Sequence, residues 1–305
     1  MPSSHLHHYI PQFYIRGFQG ADGYYWVYDK VNDRIRRYNS AKSFFYENDR
    51  HTVEENGQVH SHVEDVVFSK LDSLLSEGYA QARDAVLGRA ELTPMTWAGL
   101  MALVITMFWR VPKTDAIWDE FFDRALTIQG GMDTPEQEEF VKAFKASPTM
   151  RKAYRAFLYV DTHLRLQKAP DSPITNRLVD IDPEQGSLLL SDYPILYEEE
   201  PASLEGVVKM PFFMPLTSKR LYTTAARTRP NPTAGQLVFL NALLLNNSVR
   251  YTCCDDRSYL EQCVRAYKLY KQQNALPLMR ALLFAGDELT DRFMREWENT
   301  NSNES

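Results

Sequence analysis

Cysteine is scarce: the 305 residues contain three, two of them adjacent at Cys253 and Cys254. That rules out a disulfide framework, and the spacing does not suit a metal ligand set, so the pair reads as buried and structural. Long apolar runs are also missing. The apolar stretch Met95 to Trp109 falls short of the ~18 residues of a spanning helix. No apolar signal segment precedes the first histidines, so the expectation is a cytoplasmic protein with no membrane partner. Excess positive charge is absent too. A net charge of −6 gives no global basic footprint for nucleic acid, although local patches stay open. The chain lacks Gly-x-x-x-x-Gly-Lys-Ser/Thr, Gly-x-Gly-x-x-Gly and Gly-x-Ser-x-Gly, so the familiar nucleotide and α/β-hydrolase signatures do not apply.

What is present is an ordinary apolar fraction, 44%, in a length that suits one large domain or two smaller ones. Histidine is concentrated. Of seven histidines, six lie at or before position 62. His5, His7 and His8 precede Pro11, and His60, His62 and Glu64 open a first long helix. Neutral imidazole is the commonest metal ligand and titrates near neutrality, so grouped histidines suit metal binding or proton transfer. The alternation His5-x-His7 and His60-x-His62-x-Glu64 places each set on one face of an extended backbone. Two such strands would offer enough nitrogen and oxygen ligands for a divalent ion (Zn, Mn or Mg) with one open position. Two other readings stay open: histidines that hydrogen-bond and hold the entry of the chain, and terminal histidines with no role. Leu6 and the aromatic segment that follows argue against an expression tag.

Periodicity gives the elements. Pro11 opens a short helix over Gln12 to Phe18. Aromatic and β-branched runs at Tyr24 to Asp29 and Arg34 to Tyr38 flank Asn32-Asp33, a hairpin pattern. Short strands are expected at Phe44 to Glu47 and His51 to Glu54, and Gln58 to His62 pairs back after Asn56-Gly57. From Val63 the apolar spacing becomes helical toward Leu87. A second helix runs from Thr93-Pro94 to Arg110-Val111-Pro112, and others lie near 115–129, 135–145 and 149–167. Strands are expected at Arg177 to Ile181, Ser187 to Leu190, Val207 to Met214, Arg220 to Thr224 and Val249 to Cys253. Pro232 to Asn247 and Arg257 to Trp297 return to helix. The fold class is α+β and helix-dominated, with a small N-terminal β-hairpin unit and a mixed sheet in the second half. The expected segments are 1–62 (histidine-rich β unit), 63–170 (helical), 171–298 (α+β) and a disordered tail at 299–305, with one domain as the alternative division.

Further candidates carry two readings each. Asp192, where a strand leaves the sheet, suits a catalytic carboxylate or a turn aspartate bonded to its own backbone. Arg110, at a helix end, suits a phosphate fork or a satisfier of the last carbonyls. Asn241 and Arg250 are equally ambiguous.

The opening His7-His8-Tyr9-Ile10-Pro11-Gln12-Phe13-Tyr14-Ile15-Arg16-Gly17-Phe18 resembles the start of the DUF4238 family, which has a His-His-Tyr-x-Pro-Gln-x-x-Leu-x-x-Phe pattern. Ile15 stands where Leu is usual. Trp26-Val27-Tyr28-Asp29-Lys30, Arg110-Val111-Pro112, Ser191-Asp192-Tyr193-Pro194, Met214-Pro215-Leu216-Thr217-Ser218, Asn241 and Arg250 are similar in order and type, so the resemblance runs over roughly residues 5 to 270. It implies no activity.

Two functions are therefore set side by side. The first is a metal-dependent hydrolase of phosphodiesters, nuclease-like. It has His7, His8, Asp192 and Arg110 as catalytic candidates, and His5, His7, His8, His60, His62 and Glu64 as ligands. Residues 1 to 50 carry seven Lys or Arg against five Asp or Glu, and these local cations would hold the polyanion. The second is a non-enzymatic binding or sensor protein that presents Tyr24-Tyr25-Trp26 and Phe44-Phe45-Tyr46 to a protein partner. Burial of Tyr24, Trp26 and Tyr28 together would defeat it.

Overall fold

The computed structural model describes residues 6–55, 58–60, 68–85, 92–128, 135–152, 154, 155, 158, 161, 162, 176–225 and 232–285. It is α+β with helix predominating, and all described strand pairings are antiparallel. The second-half sheet is thus antiparallel instead of mixed in its described strands.

The chain opens with β1 (Leu6–His8), α1 (Gln12–Ile15) and a 3₁₀ turn to Phe18, followed by the hairpin of β2 (Tyr25–Asp29) and β3 (Arg34–Tyr38). Asp33 takes a left-handed backbone at φ 45° and accepts the Tyr28 hydroxyl at 2.8 Å, which closes the hairpin. β4 (Tyr46–Asn48) pairs with β1, and β5 (Val53–Glu55) with β6 (Gln58–His60).

Two helices follow, α2 (Ser69–Asp84) and α3 (Pro94–Arg110). α3 starts where the Thr93 side chain accepts the Thr96 amide and Pro94 takes the first turn. It ends before Val111-Pro112, because proline disfavours helix in the residue ahead of it. Its middle, Leu100 to Arg110, is buried almost throughout, except for half-buried Ala102. Gly78 and Gly99 bring α2 and α3 together: a Cβ on Gly78 would lie 3.5 Å from the Gly99 Cα. α4 (Asp115–Ile128), α5 (Pro135–Ala146) and a helical stretch from 148 follow.

β7 (Arg177–Asp180), β8 (Leu190–Ser191) and β9 (Leu196–Tyr197) precede α6 (Leu204–Lys209), β10 (Phe212–Thr217) and β11 (Arg220–Thr223). Val207 and Val208 belong to α6, not to the strand that their β-branching suggests. The Ser203 hydroxyl accepts the Gly206 amide, and this cap starts a helical turn that buries both valines. α7 (Ala234–Asn247) begins with a capping box of Thr233 and Gln236. β12 (Tyr251–Cys254), α8 (Arg257–Gln272) and α9 (Leu276–Ala285) complete the described chain.

The strands form sheets of order β3-β2-β12-β8 and β7-β11-β10-β9. β12, from residue 251 onward, lies directly against β2 of the N-terminal hairpin. One core joins Tyr9, Tyr14 and Phe44 to Leu103 and Val104 of α3 and to Tyr193 and Met214; a second gathers α7, α8 and Leu188, Leu196 and Phe213. Among the described residues no single helix is long and apolar enough to cross a membrane.

Candidate functional site

The opening histidines fold inward. β1 pairs with β4 so that His7 faces Glu47 and His8 faces Tyr46. His7 is fully buried, its Nδ1 accepts the His51 amide at 2.9 Å, and the two rings stack at 5.7 Å. His51 packs against Phe68 with centroids 4.5 Å apart. His8 meets the edge of Tyr46 at 5.9 Å, and its buried Nδ1 has no hydrogen-bond partner among the described residues.

Both outer rings are held neutral. Burial, then the positive field of Arg110, lowers the His8 pKa to about 4, against an opposing hydrogen bond to the Phe45 backbone. Burial takes His51 well below its usual value, and Arg110, Arg50 and Arg155 push the same way. Arg110, only 1% exposed, pairs with Asp72 at 2.7 Å and lies over the Phe68 ring. The structure therefore gathers His7, His8, His51 and Arg110.

Beside His51 opens a cleft of about 380 Å³, with Glu47, Phe68, Asp115 and Trp118 among its walls. The cations Arg50, Arg151, Lys152 and Arg155 line it, against the carboxylates Glu47, Asp115 and Asp119, a surplus of one positive charge. Arg50 sends its guanidinium to Asp115 at 2.7 Å and to Glu47 at 2.7 Å, and its Nε to the Arg110 carbonyl. Arg155 shares the same Asp115 at 2.6 Å and donates to the Trp109 carbonyl. Its burial, with Arg50 close by, brings its pKa down to about 10. Arg151 reaches Asp119 at 2.8 Å, and Lys152 donates to the carbonyls of Asp49 and Thr52. A planar guanidinium fixed in this way offers its donors in a set direction, which suits an oxyanion such as a phosphate.

Asp192 lies elsewhere. Its carboxylate accepts the backbone amides of Val249, Arg250 and Tyr251 at 2.8, 2.6 and 2.9 Å, which fixes the turn into β12. Burial raises its pKa while those amides pull it down. Asn241 similarly serves the backbone, accepting the Leu189 amide and donating to the Ser187 carbonyl. Arg250 is exposed, near Asp29 at 3.6 Å. His5, His62 and Glu64 lie outside the described residues, and only the backbone of His60 is described, paired with Val53. Among the described residues no group of three His, Cys, Asp or Glu side chains is placed to hold a metal.

The cleft cations from the helix beyond 148 escape sequence reading, because nothing ties residues 151–155 to the histidines a hundred positions earlier. Their one local signal is Arg151 and Arg155, four residues apart on one helical face.

No curated protein and no solved structure matches the chain. A family of proteins of unknown function, DUF4238, matches residues 6–253, a span that takes in β1, the cleft and β12 up to Cys253. By that match over most of its length, the chain belongs to the DUF4238 family.

Proposed function

We propose that the protein is a hydrolase of phosphate diesters, nuclease-like, working in the cleft beside His51. The observation that carries this reading is the combination of directed guanidinium groups with a neutral imidazole at the same cleft. Arg151 and Arg155 take the phosphate oxygens, and the anion displaces carboxylate contacts that the arginines make in its absence. A neutral ring can accept a proton from water, and a bound anion raises its affinity for that proton toward the range of a useful base. The metal part of the proposal places a divalent ion with the histidines of the opening segment and with His60, His62 and Glu64, where it would lower the pKa of water.

The test is turnover of bis(para-nitrophenyl) phosphate by untagged protein, with Mg, Mn or Zn added and with chelator, beside metal analysis by mass spectrometry. Wild type should turn over, and Arg151→Gln with Lys152→Gln should lower kcat/KM by roughly 10- to 100-fold with the circular dichroism unchanged. Absence of turnover under every metal condition would defeat the reading.

The second reading, a binding or sensor protein using the aromatic hairpin, has its own support. Tyr28 is buried, but Tyr24 and Trp26 are half-buried, and Arg37 lies over them at 3.9 and 5.8 Å.

A further inference from the structure

The hairpin has a second face, set by register. Tyr38 opposes Tyr25, Arg36 opposes Val27, Arg34 opposes Asp29, and Asp29 in turn opposes Tyr251, so Arg34, Arg36, Tyr38 and Tyr251 share one side of the sheet. Phe44 and Phe45 pack on that side, Phe44 against Tyr38 at 5.5 Å and Phe45 against Tyr251 at 6.3 Å. Tyr46 follows them in the chain. Burial raises the Tyr251 phenol, and the nearby phenols of Tyr38 and Tyr46 add to it, which places the three rings in one neighbourhood. All three are half-buried, and Tyr38 and Tyr251 pack against the core beneath them.

Cations border these rings. Arg34, Arg36, Lys42 and Arg250 are exposed. Among the described residues Arg34, Arg36 and Lys42 have no acidic partner, whereas Arg50, Arg110, Arg151, Arg155 and Arg220 are all paired. Arg250 lies over Tyr251 at 4.6 Å. The acids nearby are engaged: Asp29 by Asn32 and Arg250, and Glu47 by Arg50.

Charge on β3 has a second explanation, because it is an edge strand and arginines discourage strand addition there. Edge protection accounts for the arginines but not for half-buried tyrosines on the same face. Partly exposed rings beside cations without acidic partners are what a single strand needs, since every base offers a π-face and every linkage a phosphate. A duplex hides its bases and calls for an element that enters a groove.

We propose that this tyrosine and arginine strip binds single-stranded nucleic acid, with bases on Tyr38, Tyr46 and Tyr251 and phosphates on Arg34, Arg36 and Arg250. The strip rests on the phosphodiester reading only for what then happens to the strand. The β1–β4 ribbon links the two places: His8 and Tyr46 lie on one of its faces, His7 and Glu47 on the other, and Glu47 lines the cleft.

The experiment is fluorescence anisotropy of a labelled oligothymidine of about 15 nucleotides with the full chain in chelator, over a salt series. Saturable binding is expected at low salt. Arg34→Ala with Arg36→Ala should weaken it about 10-fold and reduce the slope of log affinity against log salt by about 1.4, the value for two phosphate contacts on a single strand. Tyr38→Ala should weaken it about 5-fold or more at unchanged slope, and Tyr38→Phe should restore it. The arginine double variant should still hydrolyse bis(para-nitrophenyl) phosphate like wild type, which separates failure of the strip from failure of the cleft. No saturable binding would overturn the proposal. So would a Tyr38→Ala variant that binds like wild type, or equal binding of duplex, either of which would mark a polyanion patch only.

Discussion

His8 sits in a position where its protonation and the stability of the fold are linked. Its folded pKa of about 4 lies below the ordinary 6.5, so between those values the unfolded chain takes up a proton that the folded chain refuses. Stability from this ring is complete above pH 6.5 and is lost as pH falls toward 4, by at most about 3 kcal/mol at 1.36 kcal/mol per pH unit. His51, also held below its usual value by burial, has the same sign. Urea unfolding at pH 7 and near pH 4.5 should show wild type losing more stability than His8→Phe. Equal losses would mean that the folded protein accommodates the charged ring. At this scale the density of histidines was legible from the sequence, but their environment was not. A row of imidazoles reads the same whether it faces solvent or, as for His7, is buried against the His51 amide. Asp192 is the counterpart: its place before Tyr193-Pro194 signalled a turn, and three amides from residues 249–251 complete it.

Elements defined by local chemistry were readable to within a residue or two. α3 is bounded by Thr93-Pro94 and Val111-Pro112 as the chain suggests, and the hairpin of β2 and β3 falls where the aromatic runs lie. α6 was not readable, because buried valines fit either a strand or a helix and the Ser203 hydroxyl cap, four residues before Val207, decides. The crossing of α2 and α3 makes an element-scale prediction. A methyl at Gly78 meets ordinary contact distance, so Gly78→Ala should be neutral or stabilising by up to about 1 kcal/mol through helix propensity. Gly78→Leu must push the helices apart and should cost roughly 1 to 3 kcal/mol through overpacking. Thermal unfolding of the two variants checks this, and a tolerated leucine would show that the helices can separate freely.

The molecule as a whole depends on its first segment. β2 lies between β3 and β12, the Tyr14 hydroxyl donates to the Pro215 carbonyl, and the Ser218 amide donates to the Gly17 carbonyl. A chain that starts at residue 63 leaves β12 and the aromatic core uncovered, so it should lose the cooperative calorimetric transition and bind a hydrophobic dye. A sharp transition near the wild-type temperature would show instead that the later segments hold a core of their own. The cleft also belongs to this scale. It is assembled from β4, the residues around His51, the start of α4 and the helix beyond 148.

By itself the sequence determined the α+β class, the main helix and hairpin boundaries and the family, because periodicity, caps and turn residues act within a few positions of one another. Only the tertiary structure decided that His7 and His51 stack, that Asp115 holds both Arg50 and Arg155, and that Tyr38 and Tyr251 share a face. Those contacts join residues from about 40 to more than 200 positions apart, and which distant pairs meet is set by how the sheets and helices bury their apolar faces, not by spacing along the chain.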